Sequence, residues 1–367
     1  MKIGILGAGN GGCTVATDLS LKGHDVTLIK TSNSMHNENF QYLLENDGKM
    51  AIWENGETKE THIKCVTNDI SRISECEILI VYIQTKYHEP LIQKIIPFLV
   101  PNQIVIFNPG YLSTAYMLKH NVPDYVTIVE AESSFIDCRI VEPGLAKAGF
   151  RNVRNPLGIY PSSRKEKTIE KLEQLGFPFT YLSSVVEAAL HNPNLIVHTV
   201  GAIMSIPRIE KTQGDYCMYH EVFTPSVWKI LEKLDCEKMD ILEKLGFERL
   251  PYVEACKFRN SLDDSRDAKE VFFWYAAMPT RAKGPVVVDS RYISEDVPQG
   301  LVMLEALGKQ LGVDTPIATA LIELATVALG RDMRAEGRSP ERLGKENISK
   351  ILQDCGHTEI YSNSEKS

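Results

Sequence analysis

The sequence predicts an α/β protein in two parts: an N-terminal dinucleotide-binding domain built on a parallel sheet, then an all-helical C-terminal domain. Three observations support this. Gly7, Gly9 and Gly12 fall at G-x-G-x-x-G spacing directly behind the apolar positions Ile3, Ile5 and Leu6. Strand and helix patterns alternate from there to about residue 130, the mark of an open parallel sheet. After about residue 184 the strand signals nearly stop and helical periodicity takes over. The predicted boundaries are therefore 1–184 and 185–358, with a loose polar tail over 359–367.

The glycine turn is justified by its place as well as its pattern. Gly7 permits the tight turn, Gly9 lets backbone approach a pyrophosphate, and Gly12 lets helix and strand pack. The helix that follows carries Val15, Ala16 and Leu19 on one face and stops at Gly23. Its N-terminus offers unpaired N–H groups to an anion. Gly7, Gly9, Asn10, Gly11 and Gly12 are thus candidate cofactor contacts.

A second strand is predicted over Asp25 to Lys30, and a helix from about Met35 to Leu44. Residues 50–66 alternate around Asn55-Gly56 and suit a β-hairpin. Glu77 to Ile83 and Ile104 to Phe107 read as central strands covered on both faces. The turn Asn108-Pro109-Gly110 follows, then a strand over Tyr125 to Glu130. Residues 133–182 hold short strands and one helix, and are assigned to the first domain. Beyond them, helices are predicted over Val185 to Ser205, Thr224 to Leu245, Gln299 to Gln310 and Pro316 to Leu329.

Composition narrows the function. A net charge of −8 over 367 residues argues against nucleic acid and anionic membrane as partners, since both need a basic face. The longest apolar run, Ile78 to Ile83, has the length of a strand and cannot span a bilayer. Eight cysteines without a C-x-x-C pair fit neither a zinc site nor a disulfide framework, so no metal is expected. Scattered thiols suit a reducing cytosol, and a chain that starts on a strand leaves no room for a signal peptide. A cytoplasmic protein acting on small molecules is expected, with a homodimer compatible.

The second strand ends on Lys30, followed by Thr31 and Ser32, eighteen residues past Gly12. NAD-preferring sites place an acidic residue here to bind the ribose hydroxyls. An ammonium with hydroxyls instead suits a 2′-phosphate, so NADP is favoured and NAD remains open. A solvated lysine beside a site that takes either cofactor is the alternative.

Two stretches could carry chemistry. Asn194 and His198 are four apart in a helical pattern and share a face. Arg291 and Asp296 fall within one Pro/Gly-bounded loop. Hydride reduction of a C=O or C=N needs a proton donor at the acceptor and a cation for the substrate carboxylate. Histidine titrates near neutrality, a carboxylate would fix its tautomer, and arginine binds carboxylates bidentately. The plain readings are a satisfied core histidine and a surface ion pair. Glu130, just past a strand end, could receive a substrate amine or be a solvated loop charge.

At these residues the sequence resembles the opine dehydrogenase family, that of octopine and nopaline dehydrogenases. The resemblance rests on the N-terminal G-A-G-N-G-G, Asn108-Pro109-Gly110, Glu130 to Arg139, Asn194 to His198, Gly214-Asp215-Tyr216, Tyr219 with Thr224 to Val227, and Arg291-Tyr292 to Pro298. Asp215, Tyr216 and Tyr219 could line the pocket or serve the core. It implies a Rossmann domain followed by an all-helical domain. It also implies that His198 and Asp296 form the acid–base pair, with Arg291 holding a substrate carboxylate and Asn194 orienting substrate. Pro109 and Gly110 would lie near the nicotinamide. One departure is that Thr199 and Val200 follow His198, where many relatives carry a proline.

The implied activity is reductive condensation of an amino acid with a 2-oxo acid to an opine. The alternatives are a 2-oxo acid or ketopantoate-type reductase, a polyol-phosphate dehydrogenase, or a non-catalytic nucleotide-binding protein. The reductases use a catalytic lysine, and the His198 segment offers none.

Overall fold

The computed structural model describes every residue except Ser34, Thr280, Ala282 and 357–367. It divides into two compact units, Met1–Val185 and a second beginning at Val186. The predicted tail, 359–367, lies outside the described residues.

Among the described residues the first unit holds twelve strands. In chain order they are β1 Lys2–Leu6, β2 Asp25–Ile29, β3 Lys49–Glu54, β4 Glu57–His62, β5 Cys65–Thr67 and β6 Ile78–Val81. They continue with β7 Ile104–Phe107, β8 Thr127–Ala131, β9 Ile136–Glu142, β10 Leu145–Arg151, β11 Asn155–Tyr160 and β12 Phe179–Tyr181. The main sheet runs β12-β11-β8-β7-β6-β1-β2-β5. Its centre is parallel, with Ile3 level with both Val26 and Ile78. β11 pairs antiparallel to β8, so the parallel core carries a mixed edge. β1, β6 and β7 are fully buried apart from Lys2, which explains why they read as continuous apolar runs. Sequence order reverses beside β1, and in such sheets ligands bind at the strands' carboxyl ends at that switch point.

The hairpin expected around Asn55-Gly56 is β3 and β4, within a second sheet ordered β4-β3-β10-β9. A helix, α1, spans Asn10–Leu21, and the one expected near Met35 spans Asn37–Glu45.

The second unit is helical, and its strand-like pairing among the described residues is one isolated bridge, Cys217 to Gly284. Its long helices are Pro193–Met204, Pro225–Lys244, Val302–Leu311 and Pro316–Leu329. Proline opens three of them, where its missing N–H costs nothing. The single helix expected over Val185 to Ser205 is two, Val185–Leu190 and Pro193–Met204. Pro193 cannot continue the first, and the Asn192 side chain accepts the Asn194 N–H to start the second. The helix expected from Gln299 opens instead with a π turn over Val297–Leu301.

Candidate active site and cofactor cradle

In the first unit the glycine turn is as crowded beneath as it is open above. Gly7 has φ +118°, and a Cβ there would lie 2.3 Å from the Tyr82 carbonyl. On Gly12 a Cβ would lie 1.8 Å from the Gly7 carbonyl oxygen, and on Gly11 2.8 Å from the Tyr82 ring. Gly9 is different: its Cβ would meet only the His36 ring, at 3.7 Å. Backbone can therefore be approached closely at Gly9, over the N-terminus of α1. That geometry fits a pyrophosphate. Asn10 contributes less than expected, because its side-chain oxygen accepts the Ile140 N–H at 2.8 Å. Its amide ties α1 to β9, leaving its backbone for the anion.

Lys30 is buried rather than solvated, and its ammonium donates to the Met35 carbonyl at 2.6 Å. Burial lowers its pKa. Thr31 lies beside it, half-buried. His36, with φ 54° ahead of the Asn37–Glu45 helix, adds an imidazole close to Gly9 that sequence reasoning missed. Burial lowers its pKa, and the Lys30 charge does so further.

Glu130 requires a correction. It is fully buried, and its carboxylate accepts the Leu112 N–H at 2.7 Å, the Thr114 N–H at 2.8 Å and the Thr114 hydroxyl at 2.6 Å. It is committed to holding the turn after β7, not to a substrate amine. The turn needs holding: Tyr111 and Leu112 are consecutive non-glycine residues at φ 50° and 64°. Gly110 is required there, since a Cβ would sit 2.0 Å from a Glu130 oxygen. Pro109 and Gly110 follow the carboxyl end of β7, after Asn108. Asn108 is 2% exposed, and neither atom of its amide has a partner among the described residues. An orphaned donor and acceptor at a strand's carboxyl end fit a dinucleotide's polar groups.

In the second unit, the Pro193–Met204 helix carries His198 inward. Its Nδ1–H donates to Asp296 Oδ2 at 2.8 Å. The carboxylate can only accept, so the ring's proton sits on Nδ1 and Nε2 is left as an acceptor. Nε2 takes a hydrogen bond from the Tyr219 hydroxyl at 3.2 Å. Tyr292 packs against the imidazole with centroids 4.0 Å apart. The Arg281 guanidinium stacks between Tyr219 and Tyr275, 4.3 Å from each ring. Burial is the largest influence on His198 and lowers its pKa. The Asp296 hydrogen bond and charge pull it up, and the Arg291 and Arg281 cations push it down.

Asp296 is 2% exposed and immediately precedes the π turn. That turn is gripped from the chain's far end. Arg338, fully buried, donates its Nε–H to the Gln299 side chain at 2.9 Å and its backbone N–H to the Pro298 carbonyl at 2.9 Å. Gly337 is forced by contact, since a Cβ would lie 2.4 Å from the Pro298 oxygen.

The structure thus brings His198 and Asp296 into contact and sets the Arg291 charge where His198 feels it. The Arg291 side chain is 58% exposed, with its Nε 3.9 Å from Glu295. Asn194 lies one turn before His198, half-buried. Tyr219, Tyr292 and Arg281 complete the ring's surroundings; the two tyrosines lie in the motifs of the resemblance, whereas nothing in the sequence singles out Arg281.

Comparison with known proteins agrees with this layout. Residues 181–329 match the family model described as NAD/NADP octopine/nopaline dehydrogenase, alpha-helical domain. Residues 3–127 match that of ketopantoate reductase PanE/ApbA. An opine dehydrogenase from Arthrobacter sp. (strain 1C) is 26% identical over 355 residues, covering 94% of this chain and 95% of its own. A vitopine synthase from Allorhizobium ampelinum is 21% identical, covering 92% and 94%. The fold is that of an octopine dehydrogenase solved with NADH and agmatine, at TM-score 0.76, 16% identity and 96% and 98% coverage. A ketopantoate reductase from Ralstonia eutropha shares it less closely, at TM-score 0.61, 16% identity and 92% and 99% coverage. The helical-domain model and a near end-to-end relative agree with each other, and both support the opine dehydrogenase family as the one this chain resembles.

Proposed function

We propose that the protein catalyses a reversible, NAD(P)H-dependent condensation of an amino acid with a 2-oxo acid such as pyruvate, yielding an N-(carboxyalkyl)amino acid. The observation that carries this is the buried His198 ring, held by Asp296 on Nδ1 and met by the Tyr219 hydroxyl on Nε2. Relatives support the substrate class: octopine dehydrogenase has been solved with NADH and L-arginine, and with NADH and pyruvate.

The amine nitrogen attacks the carbonyl carbon, and the oxygen leaves as water to give an imine. Neutral His198 takes the amine's two protons in turn through Nε2 and passes each to the departing oxygen, and a solvent proton carried on Nε2 goes to the imine nitrogen as it is reduced. Asp296 fixes the ring and stabilises the imidazolium. The Tyr219 hydroxyl, already on Nε2, extends the proton path. Arg291 binds a substrate carboxylate through its exposed end, and Asn194 orients the substrate. A bound nicotinamide supplies the hydride that reduces the imine carbon. The glycine cradle, Asn108, Pro109 and Gly110 would hold that cofactor.

Lys30 supports NADP over NAD: it is a cation fixed at the end of β2, with Thr31 beside it and His36 near Gly9. A yersinopine dehydrogenase of similar fold, TM-score 0.72, has been solved with NADP+. Lys30→Asp is expected to move preference toward NADH by about tenfold or more. Equal use of both cofactors, unchanged by the substitution, removes the argument. The cysteines are all free, which suits a cytoplasmic location.

The match of residues 3–127 to ketopantoate reductase favours a second reading, a simple 2-oxo acid reductase. The helix bearing His198 has no lysine to serve it. The deciding experiment follows NADPH oxidation with pyruvate, with and without an amino acid. Oxidation that requires the amino acid supports opine formation. Full-rate reduction of pyruvate or ketopantoate alone overturns it.

A further inference from the structure

Tyr219, whose hydroxyl meets His198, is also one wall of a pocket of about 260 Å³ in the second unit. The other walls are His220, Phe223, Phe273, Ala276 and Ala277. We propose that this pocket receives the side chain of the amino-acid substrate and selects uncharged, apolar chains, aliphatic or aromatic. The inference rests on the opine-forming reading above and names the amine that reading leaves open.

Three features support it. Tyr219 is common to both places, lining the pocket while its hydroxyl meets His198, so a side chain seated there lies one residue away from the imidazole. At about 260 Å³ it falls just under the roughly 300 Å³ at which drug-sized pockets begin. It suits one side chain rather than a whole ligand. Finally, among the described residues its lining is two phenyl rings, a phenol, two methyl groups and one imidazole, with no carboxylate. A guanidinium or ammonium placed among them would lose water without gaining an anion. Arg281, stacked on Tyr219, already brings a positive charge to that wall and repels a second. The octopine dehydrogenase solved with L-arginine takes a cationic side chain; this lining points the other way. Ala276 and Ala277 create the space, and Phe273, 38% exposed, gains cover when it is filled.

The test measures kcat/KM for NADPH oxidation at fixed pyruvate, with leucine, norvaline and phenylalanine set against arginine, lysine and glutamate. The apolar amino acids are expected to exceed arginine by tenfold or more. Ala277→Leu, at an exposed position that tolerates bulk, is expected to raise KM for phenylalanine about tenfold or more while leaving KM for pyruvate and for alanine unchanged. Phe273→Glu, also exposed, is expected to shift the phenylalanine-to-arginine ratio toward arginine by about tenfold or more. Preference for arginine or lysine in the unmodified protein overturns the proposal. So does an Ala277→Leu effect that falls equally on alanine and phenylalanine. If no amino acid stimulates NADPH oxidation, the opine reading itself fails and the pocket assignment falls with it. Amine-dependent turnover without apolar preference rejects the pocket alone.

Discussion

His191 and His198 stand seven residues apart, 4% and 6% exposed, and burial holds both below the ordinary imidazole pKa. They differ in what meets the ring. His198 has a carboxylate on Nδ1 and a hydroxyl on Nε2. The Nδ1 of His191 has no hydrogen-bond partner among the described residues, and the charges it feels are the cations Lys238 and Arg259. Its pKa is driven well below the usual value. An imidazole between an anion and a proton donor can gain and lose a proton; one beside two cations stays neutral. Burial alone does not mark a catalytic base. What separates the two rings is the carboxylate.

That contrast can be broken at several points. His198→Gln should cost the most, about 10²- to 10⁴-fold in kcat with cofactor affinity retained. Binding of NADPH measured separately by fluorescence tells chemistry from misfolding. Asp296→Asn should cost about 10²-fold, because the ring loses its fixed tautomer and the anion that favours its protonated form. The pH profile should show it too: in the oxidative direction the rate requires neutral His198, so it rises with pH through a midpoint below 6.5 and is level above. Asp296→Asn should move that midpoint lower, and Arg291→Gln should move it higher. A midpoint unmoved by either removes the electrostatic account.

Tyr219→Phe should lower kcat about tenfold and leave pyruvate KM unchanged. The smallest effect belongs to His191. Replacing it with Phe keeps the ring shape and removes an unpaired buried nitrogen, so activity should stay within about twofold and stability be equal or slightly higher. Acid tolerance supplies the sign. The unfolded chain protonates His191 near 6.5 and the folded chain resists. Its contribution to stability is present above that pH and lost as pH falls below it. His191→Phe should therefore flatten the loss of thermal stability below pH 6.5; an unchanged slope would place the loss elsewhere.

How much of this was legible in the sequence follows from distance along the chain. The glycine turn, the apolar strands and the proline-led helices are local signals, and the two-part fold could be read from them. His198 and Asp296 are 98 residues apart, so no spacing joins them; the family resemblance did. Tyr219 could be marked as a pocket residue but not as the partner of His198, because an aromatic at that spacing serves core and site alike, and Arg281 carries no pattern of its own. Glu130 was misread because a carboxylate at a strand end looks the same whether it faces water or the N–H groups of Leu112 and Thr114. The side chain of Asn10 has another task that local sequence does not show, since its oxygen accepts the Ile140 N–H and its backbone alone faces the turn. The π turn was missed because hydrophobic periodicity cannot separate it from the first turn of a helix.

That turn places a restriction on how the gene can change. A π turn is an α-helix with one residue inserted, and each residue of an α-helix advances it by about 100°. Losing any one residue of Val297–Leu301 would let the segment relax into ordinary helix and swing Asp296 away from the His198 ring. Substitutions there alter a contact; a single-codon deletion removes the acid from its station. Variants of this enzyme that tolerate length changes in their loops should tolerate none between Asp296 and Val302.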